Sequence, residues 1–97
     1  IAAGFQEAVV EVLVHKLLFA AEVKHCPQVA LVGGVAANSA LRARLRAAAE
    51  AKDIRVFIPP LTLCGDNAAM IAAAGYPALR DGRVSPLDAD VYSRNRV

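Results

Sequence analysis

The stretch Gln28-Val29-Ala30-Leu31-Val32-Gly33-Gly34-Val35-Ala36-Ala37-Asn38-Ser39 decides the fold. Gln28 to Val32 is an aliphatic, β-branched run of strand length, read as a buried strand. The glycine pair breaks it, and Asn38 or Ser39 is a good N-cap for a helix that follows to about Ala51. Leu41, Leu45 and Ala48 form the inner stripe of that helix, while Arg42 and Arg46 share a face. Working upstream, Cys26-Pro27 closes a long helix from Phe5 to about His25, because a residue before proline is pushed out of the helical region. Its apolar positions Phe5, Val9, Val12, Leu13, Leu17 and Ala20 or Ala21 recur at helical spacing, with Glu7, Glu11, His15 and Glu22 on a polar stripe, so the helix is expected to be mostly buried. Downstream, Ile54 to Ile58 reads as a second strand, closed by Pro59-Pro60. After the loop Leu61-Thr62-Leu63-Cys64-Gly65, Asp66 is expected to cap a third helix that stops near Ala74, with Gly75 at its end and Pro77 beyond. The domain expectation is an α/β body over residues 1–80 and an irregular tail over 81–97, rich in aspartate and poor in apolar side chains.

The order is helix, strand, helix, strand, helix. A strand joined to the next by a crossover helix is nearly always a right-handed parallel unit. Both post-strand loops, Gly33 to Asn38 and Pro59 to Asp66, then open at the carboxyl edge of one sheet, where open α/β folds bind ligands. With neighbouring strands about 4.8 Å apart, Asn38 and Asp66 are expected to face one crevice.

Composition narrows the class. The chain has 97 residues, 57% of them hydrophobic, but 21 are alanine, which favours helix while burying little area per residue. One core fits this length. The longest near-apolar stretches, Val29 to Ala37 and Ala68 to Tyr76, fall well short of the about 20 residues a bilayer crossing needs, so no membrane association is expected. A net charge of +2 is too weak to argue for any polyanionic partner. Two cysteines, Cys26 and Cys64, with no other crosslinking signal, are expected to be free thiols in a reducing compartment. The first residue, Ile1, runs straight into helical periodicity, as if the chain were cut from something longer.

Several side chains carry chemistry beside an ordinary structural role. Gly33 and Gly34 let backbone approach a ligand, and the helix start beyond them suits a nucleotide phosphate; a tight strand-to-helix turn is the ordinary alternative. Asn38 offers two donors and an acceptor to a ribose or a base edge, or else serves as an N-cap. Asp66 is either a cap or a carboxylate ligand for zinc or iron. His15 and His25, turned about 280° apart on a helix, do not share a face. Cys64 reads as a small buried hydrophobe. Arg42, Arg44, Arg46, Lys52 and Arg55 form a basic cluster, read as a solvated helix face before phosphate contact.

Two motifs carry a family resemblance. Val29 to Asn38, followed 28 positions later by Asp66 within Leu63-Cys64-Gly65-Asp66-Asn67-Ala68-Ala69-Met70-Ile71-Ala72, resembles the C-terminal part of the tRNA threonylcarbamoyladenosine synthase family, formerly described as glycoproteases. The opening helix with Phe5-Gln6-Glu7-Ala8-Val9-Val10 is similar to that family's preceding helix. The resemblance implies part of a lobe of the actin, heat-shock ATPase and sugar kinase type. It implies transfer of a threonylcarbamoyl group from threonylcarbamoyl-AMP to the N6 amine of the adenosine beside the anticodon, in tRNAs reading codons that begin with A. Asn38 matches the substrate-binding asparagine, Gly33 and Gly34 the adjoining nucleotide wall, and Asp66 the metal-binding aspartate. No catalytic acid or base is assigned. One divalent metal ion is implied, iron ahead of zinc, in a cytoplasmic or organellar (mitochondrial) enzyme whose partners are tRNA, an inactive paralogue and a small ATPase. Two departures stand out. The histidine pair that completes the family's metal site has no counterpart in these 97 residues, and Gly65 stands where threonine is usual. The isolated chain is therefore expected to be inactive. Weighed beside the transferase are a metalloprotease, a non-catalytic nucleotide-binding scaffold and an ordinary kinase of the same superfamily.

Overall fold

A computed structural model describes residues 2–91. The chain divides into two compact units, one ending at Asp66 and one beginning at Asn67. In the first unit, α1 (Ala2–Val23) precedes β1 (Gln28–Ala30), α2 (Ser39–Glu50) and β2 (Arg55–Phe57). The strands form a two-stranded parallel sheet with Gln28 opposite Arg55, Val29 opposite Val56 and Ala30 opposite Phe57. Arg55 N–H donates to Pro27 O and Leu31 N–H to Phe57 O, both at 2.9 Å, which carries the ladder one residue past each end of β1. The class is α/β with parallel strands, as the element order implies; two strands are too few to define a complete lobe.

The core lies between α1, α2 and one face of the sheet. Val10, Val14 and Leu18 of α1 meet Leu41, Leu45 and Ala49 of α2, with Leu17, Leu31, Ala48, Ile54 and Val56 packed at the margin. Leu41 and Leu45 are the largest fully buried side chains. Truncating either to alanine costs about 2–5 kcal/mol through lost transfer energy and the cavity left behind.

Four expectations need correction. First, α1 is not mostly buried, and its inner stripe is Val10, Val14, Leu18 and Ala21 rather than Phe5, Val9, Val12 and Leu13. Phe5 is 73% exposed. Apolar residues occupy most of the helix circumference, so periodicity admits several stripes, and the position of α2 selects one. Second, β1 is short and buries only Val29; a two-stranded sheet with helices on one face leaves its alternate residues open. Third, the inner alanine of α2 is Ala49, with Ala48 half-buried.

The fourth correction concerns α3 (Ala68–Arg80), the helix of the second unit. It runs through Gly75 and Pro77, and its N-cap is Asn67, whose side chain accepts from Met70 N–H at 3.0 Å. An interior proline costs about 3 kcal/mol in a helix, yet the alanine-rich flanks continue to a true stop at Gly82. There Gly82 N–H donates to Leu79 O at 3.0 Å and Arg83 N–H to Ala78 O at 2.8 Å, closing a Schellman motif around a φ of 74°. The same closure ends α1 at His25 (φ 51°) and α2 at Asp53 (φ 56°), without glycine. Residues 81–91 hold no helix or strand; the tail expectation for 92–97 lies outside the described residues. Among the described residues no helix is long and apolar enough to cross a membrane.

Candidate functional site

The parallel register sends both strands toward the same edge, and each continues into a short 3₁₀ turn that the sequence reading missed. Gly34–Ala37 follows β1, and Leu61–Leu63 follows β2. The signals were available in principle: Gly33 ahead of small residues, and Pro60 ahead of Leu61. Gly33 has φ 88° and ψ 179°, a backbone that side-chain-bearing residues rarely adopt. Gly34 lies outside that region, and a Cβ built there meets nothing within 4 Å. The turn therefore requires Gly33 but not Gly34, and the bare backbone at Gly34 leaves open space beside the start of α2.

Asn38 sits at that start in extended conformation (φ −66°, ψ 119°). Its Oδ1 accepts from Leu41 N–H at 2.9 Å, so the capping role is real. Its Nδ2 donates to Gln6 Oε1 at 3.4 Å, a long contact that ties α2 to the first turns of α1. The side chain is half-buried. A ligand that takes the amide nitrogen has only this weak bond to displace.

The second loop is held differently. Cys64 is buried and its Sγ lies 3.5 Å from Pro60 O and 3.7 Å from Pro59 O. Leu63 N–H donates to Pro60 O at 2.9 Å and Cys64 N–H to Leu61 O at 3.2 Å. Arg42, half-buried in α2, donates from Nη2 to Pro59 O at 2.6 Å. Arg42 thus departs from the solvated-face expectation, whereas Lys52 pairs with Glu22 on the surface. Such an exposed pair contributes little.

Asp66 is exposed, and among the described residues its carboxylate makes no hydrogen bond or ion pair. Freed of the cap by Asn67, it is available as an oxygen ligand. Among the described residues, however, no three histidine, cysteine, aspartate or glutamate side chains gather in a way that could hold a metal. Cys64 is turned to backbone carbonyls, and His15 stacks on Phe19 with ring centroids 6.3 Å apart. One carboxylate does not complete a metal site. Both cysteines are free thiols, Cys26 exposed and Cys64 buried.

Comparison with known proteins gives one consistent result. A family model described as tRNA N6-adenosine threonylcarbamoyltransferase matches residues 1–73. A relative of that name from Desulforapulum autotrophicum is 47% identical over 99% of this chain and 29% of its own length. One from Symbiobacterium thermophilum is 57% identical over 91% of this chain and 26% of its own. One from Bacillus anthracis is 52% identical over 90% and 26%. The chain spans between a quarter and a third of the length of the curated relatives it matches. The names support none of the protease, scaffold or kinase alternatives.

Proposed function

The chain belongs to the tRNA N6-adenosine threonylcarbamoyltransferase family, and on that premise we propose that it supplies the nucleotide-facing edge of a tRNA-modifying active site. The reaction is an acyl transfer from threonylcarbamoyl-AMP to a tRNA adenosine. The N6 amine attacks the carbamoyl carbon, a C–N bond forms, the bond from that carbon to the phosphate oxygen breaks, the amine loses a proton, and AMP leaves. Holding donor and amine in one geometry supplies much of the acceleration in such a step.

Asn38 binds the nucleoside part of the donor through its amide, Gly33 and Gly34 form the adjoining backbone wall, and Asp66 gives one oxygen ligand to a divalent ion, iron ahead of zinc. When bound, that ion polarises oxygens of the donor as a Lewis acid. Its other ligands must come from outside the described residues. tRNA, an inactive paralogue and a small ATPase are the proposed partners, and the proposed compartment is the cytoplasm or an organelle.

The observation that carries the reading is the in-register parallel pairing of β1 and β2, which opens the loop bearing Asn38 and the loop bearing Asp66 at the same sheet edge. The test uses the chain completed to the length of its relatives, given tRNA and threonylcarbamoyl-AMP. Transfer to the N6 amine, with AMP released in equal amount, is the expected result. Metal content and transfer should fall together in Asp66→Ala. Full transfer with unchanged metal content in that variant would remove the ligand role.

A further inference from the structure

Arg42 is the side chain that the fold's own needs explain least. It lies at the start of α2, where a cation opposes the helix dipole, and the first turn holds no acid to offset it. Among the described residues it forms no ion pair; its guanidinium instead reaches a backbone carbonyl 17 residues away. That carbonyl belongs to Pro59, two residues past the end of β2 and at the head of the loop that ends at Asp66. Pro60 follows it and has no N–H, so the peptide there is restrained in φ and cannot be tied through its own donor. Its backbone sits one turn from Asn38, since Arg42 N–H makes the first intrahelical bond of α2 to the N-cap carbonyl Asn38 O at 3.1 Å. The helix thus places Arg42 one turn from the amide, and its side chain alone reaches the loop of the acid.

We propose that Arg42 is a positioning residue that sets the spacing between Asn38 and the Pro59–Asp66 loop, so that donor and ion meet in register. The proposal deepens the functional reading above and rests on it. A charged donor to a carbonyl is among the stronger single hydrogen bonds, and its 2.6 Å length leaves little slack. Cys64 Sγ lies 3.7 Å from the same Pro59 carbonyl and 3.5 Å from that of Pro60, so Pro59 is gripped from α2 on one side and by the loop's own thiol on the other. Loss of the guanidinium removes the grip from α2 and leaves the thiol. The loop then stays folded but moves relative to Asn38.

The experiment compares Arg42→Met and Arg42→Lys in the chain completed to the length of its relatives. Two quantities are read: amide hydrogen exchange at Leu63 and Cys64 against Leu45 and Ala49 in α2, and the split of transfer into kcat and KM for threonylcarbamoyl-AMP. Arg42→Met is expected to speed exchange at Leu63 and Cys64 by about tenfold while α2 is unchanged, and to lower kcat by about tenfold with KM altered much less. Arg42→Lys, which keeps one N–H donor near the carbonyl, should recover a large part of both. Unchanged exchange in the loop would overturn the proposal. So would faster exchange throughout α2, which marks a merely structural residue, or a looser loop with kcat intact. The parent and Asp66→Ala run alongside separate the two ideas: no transfer in the parent defeats the functional reading, and full transfer in Asp66→Ala removes only the ligand role of Asp66, whatever Arg42 does, because that substitution leaves the Arg42 to Pro59 bond in place.

Discussion

The two loops at the sheet edge solve the same problem in opposite ways. After β1 the chain turns through glycine, and its polar residue, Asn38, is already engaged: one end caps α2 and the other touches Gln6. After β2 the chain turns through two prolines and a buried thiol, and its polar residue, Asp66, is exposed while the neighbouring Asn67 caps the next helix. At Asn38 structure and proposed function share one side chain. At Asp66 they are divided between two adjacent residues. A substitution at Asp66 therefore reports on function alone, and one at Asn38 reports on both.

The largest expected effect follows from that division. In the chain completed to the length of its relatives, Asp66→Ala should lower transfer by about 100-fold or more, near 2.7 kcal/mol, with an unfolding midpoint that does not move. A parallel drop in thermal stability would show that the acid is structural after all and erase the contrast between the loops. Asn38→Ala should weaken donor binding by about 1–3 kcal/mol and also destabilise α2 by about 1 kcal/mol. Asn38→Ser sharpens the point, since the hydroxyl keeps the cap but loses the amide nitrogen. Its stability should stay near the parent while donor affinity, measured by calorimetry, remains weak. Equal affinity in Asn38→Ser and the parent would reduce Asn38 to a cap.

The glycines divide along the same line. Gly33→Ala is strained by the positive φ and should cost about 1 kcal/mol or more of stability. Gly34→Ala meets open space in the fold, so any loss of donor affinity there is a clash with ligand rather than with protein. The smallest effect is expected at Gly65, where a Cβ also meets nothing within 4 Å. Gly65→Thr should raise stability by less than about 1 kcal/mol by restricting the unfolded chain, and the loop amides should exchange more slowly. A large destabilisation would show that the second loop depends on glycine as the first does.

The sequence carried the element order, the parallel pairing and the N-cap of α2 because each rests on local chemistry: β-branched runs, Pro59-Pro60, and Asn38 three residues before Leu41. It did not carry the inner stripe of α1. Phe5, Val9 and Leu13 are as apolar as Val10, Val14 and Leu18, and only the location of α2 distinguishes them. It misplaced the end of α3, since Gly75 and Pro77 look like stops and Gly82 is one; what decides is which residue can close the last turn in left-handed conformation. Asp66 and Asn67 are both good caps, and their order along the chain did not reveal which would serve. The bond from Arg42 to Pro59 was beyond reach for a further reason: it joins residues 17 apart whose meeting depends on the parallel register itself.

Asn38 and Asp66 are proposed to act on one bound donor at one sheet edge. The most direct measurement is a crystal structure of the chain, completed to the length of its relatives, with threonylcarbamoyl-AMP and a divalent ion bound. The Asn38 amide is expected within about 3.2 Å of the donor's nucleoside, with an ion on the Asp66 carboxylate that also touches the donor. A nucleoside held elsewhere, or an ion bound without Asp66, would contradict it.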